Sequence, residues 1–269
     1  MSLLSPAVLP YAEGFVIDGA AYAHIEVIEA LGPLLVERRR ARIAEAVARR
    51  TYAVVPVLEA IHDAGNLNAV LRSAEGLGLG AAHLVALEGD ADKLGQRLAA
   101  RTAAPFAAPI TDLAADLDLT DPSKVASRVS QGAHRWLDFY RWTTPAAFVD
   151  HAHALGYRVA ATHLDADAVP IDQVDFTIPT ALVFGNEQRG ISADLLANAD
   201  LNVVLPIDGF IQSYNISVAA ALALYHARQD RLARQGRHAD LTPAQQTALT
   251  ASYYLRSVPH HAAVLAARR

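Results

Sequence analysis

Short β-branched and apolar runs alternate along the chain with longer stretches in which apolar positions recur at helical spacing. That alternation predicts an α/β fold: a mostly parallel sheet with helices on both faces. Strands are expected at 52–58, 81–87, 158–162, 181–184 and 202–205, and helices at 66–76, 92–101, 145–155, 192–198 and 217–234. In the last of these, Val218, Leu222 and Tyr225 repeat at helical spacing after a Ser/Asn-rich start. Gly236 is placed to end it, and Leu241-Thr242-Pro243 opens another helix, with Thr242 as N-cap and Pro243 at the first helical position. Residues 25–50 read as one or two helices, and 112–123, rich in Asp, Thr and Pro, as a surface loop. The resulting division is a helical N-terminal extension (1–50), a core domain (51–236) and a helical C-terminal extension (237–269).

A chain of 269 residues, 52% of them hydrophobic, buries one full-sized core and still carries helical appendages. It contains no cysteine, which excludes disulfides, Cys-ligated zinc and thiol nucleophiles. Met1 to Pro6 lack a basic leader, and no stretch reaches the roughly 18 to 20 apolar residues of a membrane span. A soluble, unexported, cytoplasmic protein is the expectation. The net charge of −5 argues against a nucleic-acid binder on a whole-chain count. Its distribution tempers that argument, because the arginines gather at Arg38 to Arg42, Arg49-Arg50, Arg128 to Arg141 and Arg228 to Arg237. Each cluster is either a solvated helix face or part of a phosphate-tracking surface.

Three polar constellations each follow an expected strand, where an α/β sheet places its ligands. The first is Asp63-Ala64-Gly65-Asn66-Leu67-Asn68-Ala69-Val70-Leu71-Arg72. Asn66 is either a helix N-cap or a site residue, and Arg72 either a solvated helix residue or a charged anchor. Gly65, Gly76, Gly78 and Gly80 do not fit the dinucleotide spacing G-x-G-x-x-G, so a nicotinamide enzyme is disfavoured. The second, Phe184-Gly185-Asn186-Glu187-Gln188-Arg189-Gly190-Ile191-Ser192, breaks a strand at a glycine that allows close backbone approach. The third runs from Leu205-Pro206-Ile207-Asp208-Gly209 to Ser213-Tyr214-Asn215-Ile216-Ser217, where Ser213 and Asn215 also suit helix capping.

Taken in this order, Asn-x5-Arg, Phe-Gly-Asn-Glu and Leu-Pro-Ile-x-Gly with Ser-x-Asn-x-Ser resemble the three motifs of the SpoU/TrmH ribose methyltransferases, a branch of the knotted SPOUT superfamily. Ala161-Thr162-His163-Leu164 and Gly132-Ala133-His134-Arg135-Trp136-Leu137 are also similar to segments of its tRNA-modifying members. The likeness runs from about residue 51 to 234, with a helical tail resembling those members' C-terminal extension. It implies a deep trefoil knot in the C-terminal part of the sheet and a homodimer whose partner completes the RNA site. It also implies S-adenosyl-L-methionine held at Thr162, Gly185, Leu205, Ile207 and Tyr214, largely by backbone groups.

The implied reaction is methyl transfer to a ribose 2′-hydroxyl of RNA, with the D-loop guanosine of tRNA as the expected target and ribosomal RNA as the alternative. Arg72, Asn66, Glu187, Ser213 and Asn215 become the catalytic set. A guanidinium is a poor base, so Arg72 is expected to bind a phosphate and stabilise the developing alkoxide. Asn66 would orient Arg72 or the ribose, and Glu187 the helix start or the arginine. Arg72, His134, Arg135, Arg141 and Arg189 are the expected RNA contacts. Tyr214 departs from the leucine usual at its position and puts the size of the cofactor pocket in question. Residues 1–50 are too short and too helical for the separate RNA-binding domain of the ribosomal-RNA members, which favours tRNA. The histidine spacings, including His151-x-His153 and His260-His261, lack the partners of a zinc site, so no metal is expected. A knotted protein that binds RNA without transferring a methyl group is the competing reading. Tyr214 and the net charge motivate it.

Overall fold

The computed structural model describes residues 9, 11–61, 63–86 and 132–268. The expected helix at 92–101 and loop at 112–123 lie outside them. The chain forms two compact units, Tyr52–His238 in one, and the described parts of Ala7–Thr51 and Ala239–Arg269 in the other.

The terminal unit begins with a hairpin, β1 (Phe15–Ile17) against β2 (Ala20–Tyr22), where only helix was expected. Its turn is Asp18-Gly19, both with positive φ (49° and 79°), as a two-residue type I′ connection requires. Helices α1 (His24–Leu31) and α2 (Glu37–Val47) follow. Two of the four α2 arginines, and Arg49 just beyond the helix, are paired locally: Arg40 pairs with Glu37, and Arg42 and Arg49 both pair with Glu45 at 2.8 Å.

In the core unit, β3 (Val54–Glu59), α3 (Ala64–Gly76), β4 (Ala81–Val85), β5 (Asp138–Trp142) and α4 (Pro145–Ala154) are followed by β6 (Arg158–Thr162) and β7 (Val169–Pro170). The unit ends with β8 (Thr180–Phe184), α5 (Ala193–Ala197), β9 (Leu201–Val204) and α6 (Ile216–Gln235). The sheet order is β5-β4-β3-β8-β6-β9-β7, and every pairing is parallel. Strands β3, β4, β5 and β8 are buried at every position, and all but β5, which carries Asp138 and Arg141, therefore read as largely apolar runs. The late strand β8 lies between β3 and β6, with Val54 opposite Thr180 and Arg158 opposite the same residue.

The segment after Gly132 is a short 3-10 turn, Ala133–Trp136, leading into β5, a strand absent from the expected set that carries Phe139 into the core. Helix α6 keeps its place, but its buried face is Ile216, Ala220, Ala223, Leu224 and Ala227, while Val218, Leu222 and Tyr225 are 47%, 44% and 52% exposed. Val218, Leu222 and Tyr225 thus form an outward stripe, and three alanines with Ile216 and Leu224 face the core.

Helices α7 (Pro243–Ser257) and α8 (His261–Ala266) return the chain to the terminal unit. Thr242 caps α7 reciprocally with Gln245, and Gly236 ends α6 at φ 73°. In that unit Arg50, almost fully buried, donates to the Tyr253 hydroxyl at 3.0 Å. Among the described residues no helix is long and apolar enough to cross a membrane.

Candidate functional site

A cavity of about 470 Å³ opens where β6, β8 and β9 end, and α6 begins. Thr162, Gly185, Leu205, Ile207 and Tyr214 line it, as do Glu187, Ser213 and Asn215. His163, Leu164, Gln212 and Ile191, which the sequence reading gave no role, line it too.

The second and third motifs line the cavity, and the first, with no residue among the lining, is bonded to them through Asn66. Asp63, not Asn66, is the N-cap of α3: its carboxylate accepts from the Asn66 backbone N–H at 2.6 Å. The Asn66 side chain is therefore turned to other partners. Its amide nitrogen donates to Glu187 Oε1 at 2.8 Å, and its Oδ1 accepts from Asn215 Nδ2 at 3.2 Å. Asn215 does two jobs, because its Oδ1 also caps α6 by accepting from the Ser217 N–H at 2.9 Å. One residue from each of the three constellations is thus joined in a side-chain chain, Glu187–Asn66–Asn215.

The Gly185 position needs glycine. A Cβ there would sit 2.4 Å from the Gly190 carbonyl carbon and the Ile191 nitrogen, because the turn folds back on itself through the Asn186–Gly190 bridge. Thr162 is fixed by donating its hydroxyl to the Val183 carbonyl at 2.8 Å. The Tyr214 hydroxyl donates to the Pro206 carbonyl at 3.2 Å, so the phenol tip closes the 206–214 loop on itself and finds the partner it needs. At the tip of that loop Phe210 is fully exposed.

Arg72 is exposed on α3 and is not among the residues lining the cavity. Six residues beyond Asn66, it stands about two-thirds of a turn out of phase and roughly 9 Å along the axis. Arg189 and Arg135 are exposed, while the His134 side chain lies outside the described residues. Arg141 is the correction: in β5 it is buried, 6% exposed, and does not belong to an RNA-facing strip. Among the described residues no group of three or more His, Asp or Glu is placed to hold a metal ion.

The chain matches the family described as the SpoU rRNA Methylase family over residues 98–225, a span that begins after the Asn66 motif. It is 32% identical over 193 residues to the tRNA (guanosine(18)-2′-O)-methyltransferase of Escherichia coli (strain K12), covering 72% of this chain and 70% of the relative. A second relative, the 23S rRNA (guanosine(2553)-2′-O)-methyltransferase of Bacillus subtilis (strain 168), is 30% identical over 174 residues, or 65% of this chain and 57% of its own. Among solved structures, the A. aeolicus TrmH/SpoU tRNA modifying enzyme superposes with a TM-score of 0.65 at 23% identity, over 83% of this chain and 98% of that one. That likeness speaks for the fold. The identity and coverage of the E. coli relative carry the assignment further: this chain belongs to the SpoU methylase family.

Proposed function

We propose that the protein transfers a methyl group from S-adenosyl-L-methionine to a ribose 2′-hydroxyl of RNA, with the D-loop guanosine of tRNA as substrate. The observation that carries this reading is the Glu187–Asn66–Asn215 chain, in which Asn66 of the first motif is bonded to one cavity-lining residue from each of the other two. The cavity suits the cofactor in size, within the range of about 300 to 1,000 Å³ typical of ligand sites. It also suits it in kind, since Gly185 leaves room that a Cβ would fill and few charged side chains line the wall. Thr162, Gly185, Leu205, Ile207 and Tyr214 would hold the cofactor, which supplies an electrophilic methyl group when bound.

The chain's own residues position and stabilise. Asn66, fixed at both ends of its amide, orients the ribose. Ser213 and Asn215 shape the pocket floor beneath it. Arg72, a guanidinium and so a poor base, serves as an anchor for phosphate and for the negative charge that develops on the ribose oxygen. Its place on the outer face of α3 fits a site completed by a second copy of the chain. The exposed Val218-Leu222-Tyr225 stripe supports that homodimer, and β8 entering between β3 and β6 before α6 supports a knotted C-terminal part. Arg189 and Arg135, both exposed, are the remaining proposed RNA contacts. A cytoplasmic location follows from such a substrate.

Incubation of unmodified tRNA with labelled S-adenosyl-L-methionine tests the proposal. Label on a D-loop ribose is expected; label on a base, or on ribosomal RNA alone, overturns the substrate. Arg72→Ala is expected to abolish transfer while cofactor binding, read by calorimetry, persists. Transfer at the wild-type rate removes arginine from the mechanism.

A further inference from the structure

We infer that Glu59, together with the neighbouring Ala60 carbonyl, is a positioning residue that fixes the Gly185-to-Ser192 turn in the shape the cofactor cavity requires. The inference rests on the S-adenosyl-L-methionine reading of that cavity.

Glu59 is the last residue of β3 and follows five apolar positions, yet its exposure is 0%. A carboxylate is buried so fully only when its oxygens are bonded. Here both are bonded to one residue: Oε2 accepts from the Ser192 N–H at 2.8 Å and Oε1 from the Ser192 hydroxyl at 2.6 Å. One residue on, Ala60 takes a positive φ of 51°, and its carbonyl accepts from Asn186 Nδ2 at 2.8 Å. Two adjacent residues at the end of β3 thus grip the turn near its start and at its end.

Between these grips the turn has its own scaffold. Asn186 and Gly190 exchange backbone hydrogen bonds at 3.0 and 2.9 Å, and Asn186 Oδ1 accepts from the N–H groups of Gln188 and Arg189. Five residues of the turn, Gly185, Asn186, Glu187, Gly190 and Ile191, line the cavity, and Glu187 is the one that receives Asn66. Without the outer grips, the turn keeps its internal bonds but not its place on the sheet. A carboxylate serving stability alone would lower the melting temperature of its variants without changing cofactor affinity in the folded protein.

The test uses Glu59→Ala, Glu59→Gln and Ser192→Ala in the full chain, with Leu79→Ala as the control. Leu79 is fully buried just before β4, at the opposite end of the strands from the cavity, so its truncation destabilises without touching the turn. Calorimetry with S-adenosyl-L-methionine is expected to show a loss of affinity of about ten- to a hundredfold for Glu59→Ala, as fits the removal of two hydrogen bonds to a charged group. Ser192→Ala, which keeps the backbone bond, should fall between Glu59→Ala and wild type. Glu59→Gln should recover most of the affinity, because its carbonyl still accepts from the Ser192 N–H while its amide donates to the hydroxyl.

Amide hydrogen exchange read without cofactor should speed up at Asn186 to Ser192 in Glu59→Ala and not in Leu79→Ala. Wild-type affinity and turn protection in Glu59→Ala, or an equal affinity loss in Leu79→Ala, overturns the inference. If Glu59→Ala does not fold, Glu59→Gln and Ser192→Ala decide the matter by the same two readouts. Absence of cofactor binding in the wild-type protein overturns the methyltransferase reading instead, and the exchange comparison still decides the role of Glu59.

Discussion

Protonation of one buried imidazole should set the acid stability of the core unit. His83 sits in β4 opposite Tyr140 of β5, 4% exposed, stacked on the Tyr140 ring at 4.8 Å and edge-on to Phe148. Its Nδ1 accepts from Trp142 Nε1 at 3.0 Å, which fixes the neutral ring with its proton on Nε2. Burial, with a smaller contribution from His151, lowers its pKa from 6.5 to about 3. The unfolded chain therefore binds a proton below pH 6.5 that the folded chain refuses, and unfolding free energy falls as pH drops from 6.5 toward 3, with no change above 6.5. Between pH 7.5 and 5.0 that linkage amounts to about 2 kcal/mol.

Urea unfolding followed by tryptophan fluorescence measures it, since both tryptophans, Trp136 and Trp142, belong to this unit. The comparison is with His83→Gln, whose carbonyl still accepts from Trp142 but does not titrate. Groups common to both proteins cancel, including His238, whose pKa burial and then Arg231 lower to about 4. The expected result is a wild-type protein that loses about 2 kcal/mol more than the variant between the two pH values. Parallel pH profiles would refute the reasoning.

Gly185→Ala forces a Cβ to within 2.4 Å of the Gly190–Ile191 backbone and should both destabilise the core unit by about 1–3 kcal/mol and abolish cofactor binding, read by melting temperature and calorimetry. Asn66→Ala removes two side-chain hydrogen bonds and should slow methyl transfer by roughly tenfold or more in single-turnover assays, with little change in stability. Thr242→Ala breaks the capping box of α7 and should cost the terminal unit about 1 kcal/mol in urea unfolding, leaving cofactor affinity unchanged. Leu222→Glu, placing a charge in the outward stripe of α6, should yield a monomer by sedimentation if that stripe is the homodimer contact.

Local chemistry made much of this protein readable from its sequence. Strands buried on both faces show as apolar runs, so β4, β6 and β8 fall close to their expected places. Caps announce themselves, as Thr242, Ser192 and Gly236 do. The three motifs, too, were visible as polar clusters at strand ends. Where local signals were mixed, the reading failed. Asp138 and Arg141 interrupt β5 with charges that only the fold accommodates; Asp138, for instance, accepts from the Tyr52 hydroxyl at 2.6 Å. The Asp18-Gly19 dipeptide is itself a hairpin signal, but the strands on either side of it are only three residues long and show no alternation of apolar and polar residues.

What the sequence determined by itself is therefore the element type wherever burial or capping repeats at a fixed spacing, together with the residue types available for chemistry. Only the tertiary structure decided how they are used, because contacts between residues 121 and 149 positions apart leave no periodicity to read. It gave the cap of α3 to Asp63 and turned Asn66 toward Glu187 and Asn215. It set Arg72 outside the cavity and Arg141 inside the sheet, and turned Val218, Leu222 and Tyr225 of α6 outward. It also spent the buried charge of Glu59 on the turn that carries the second motif.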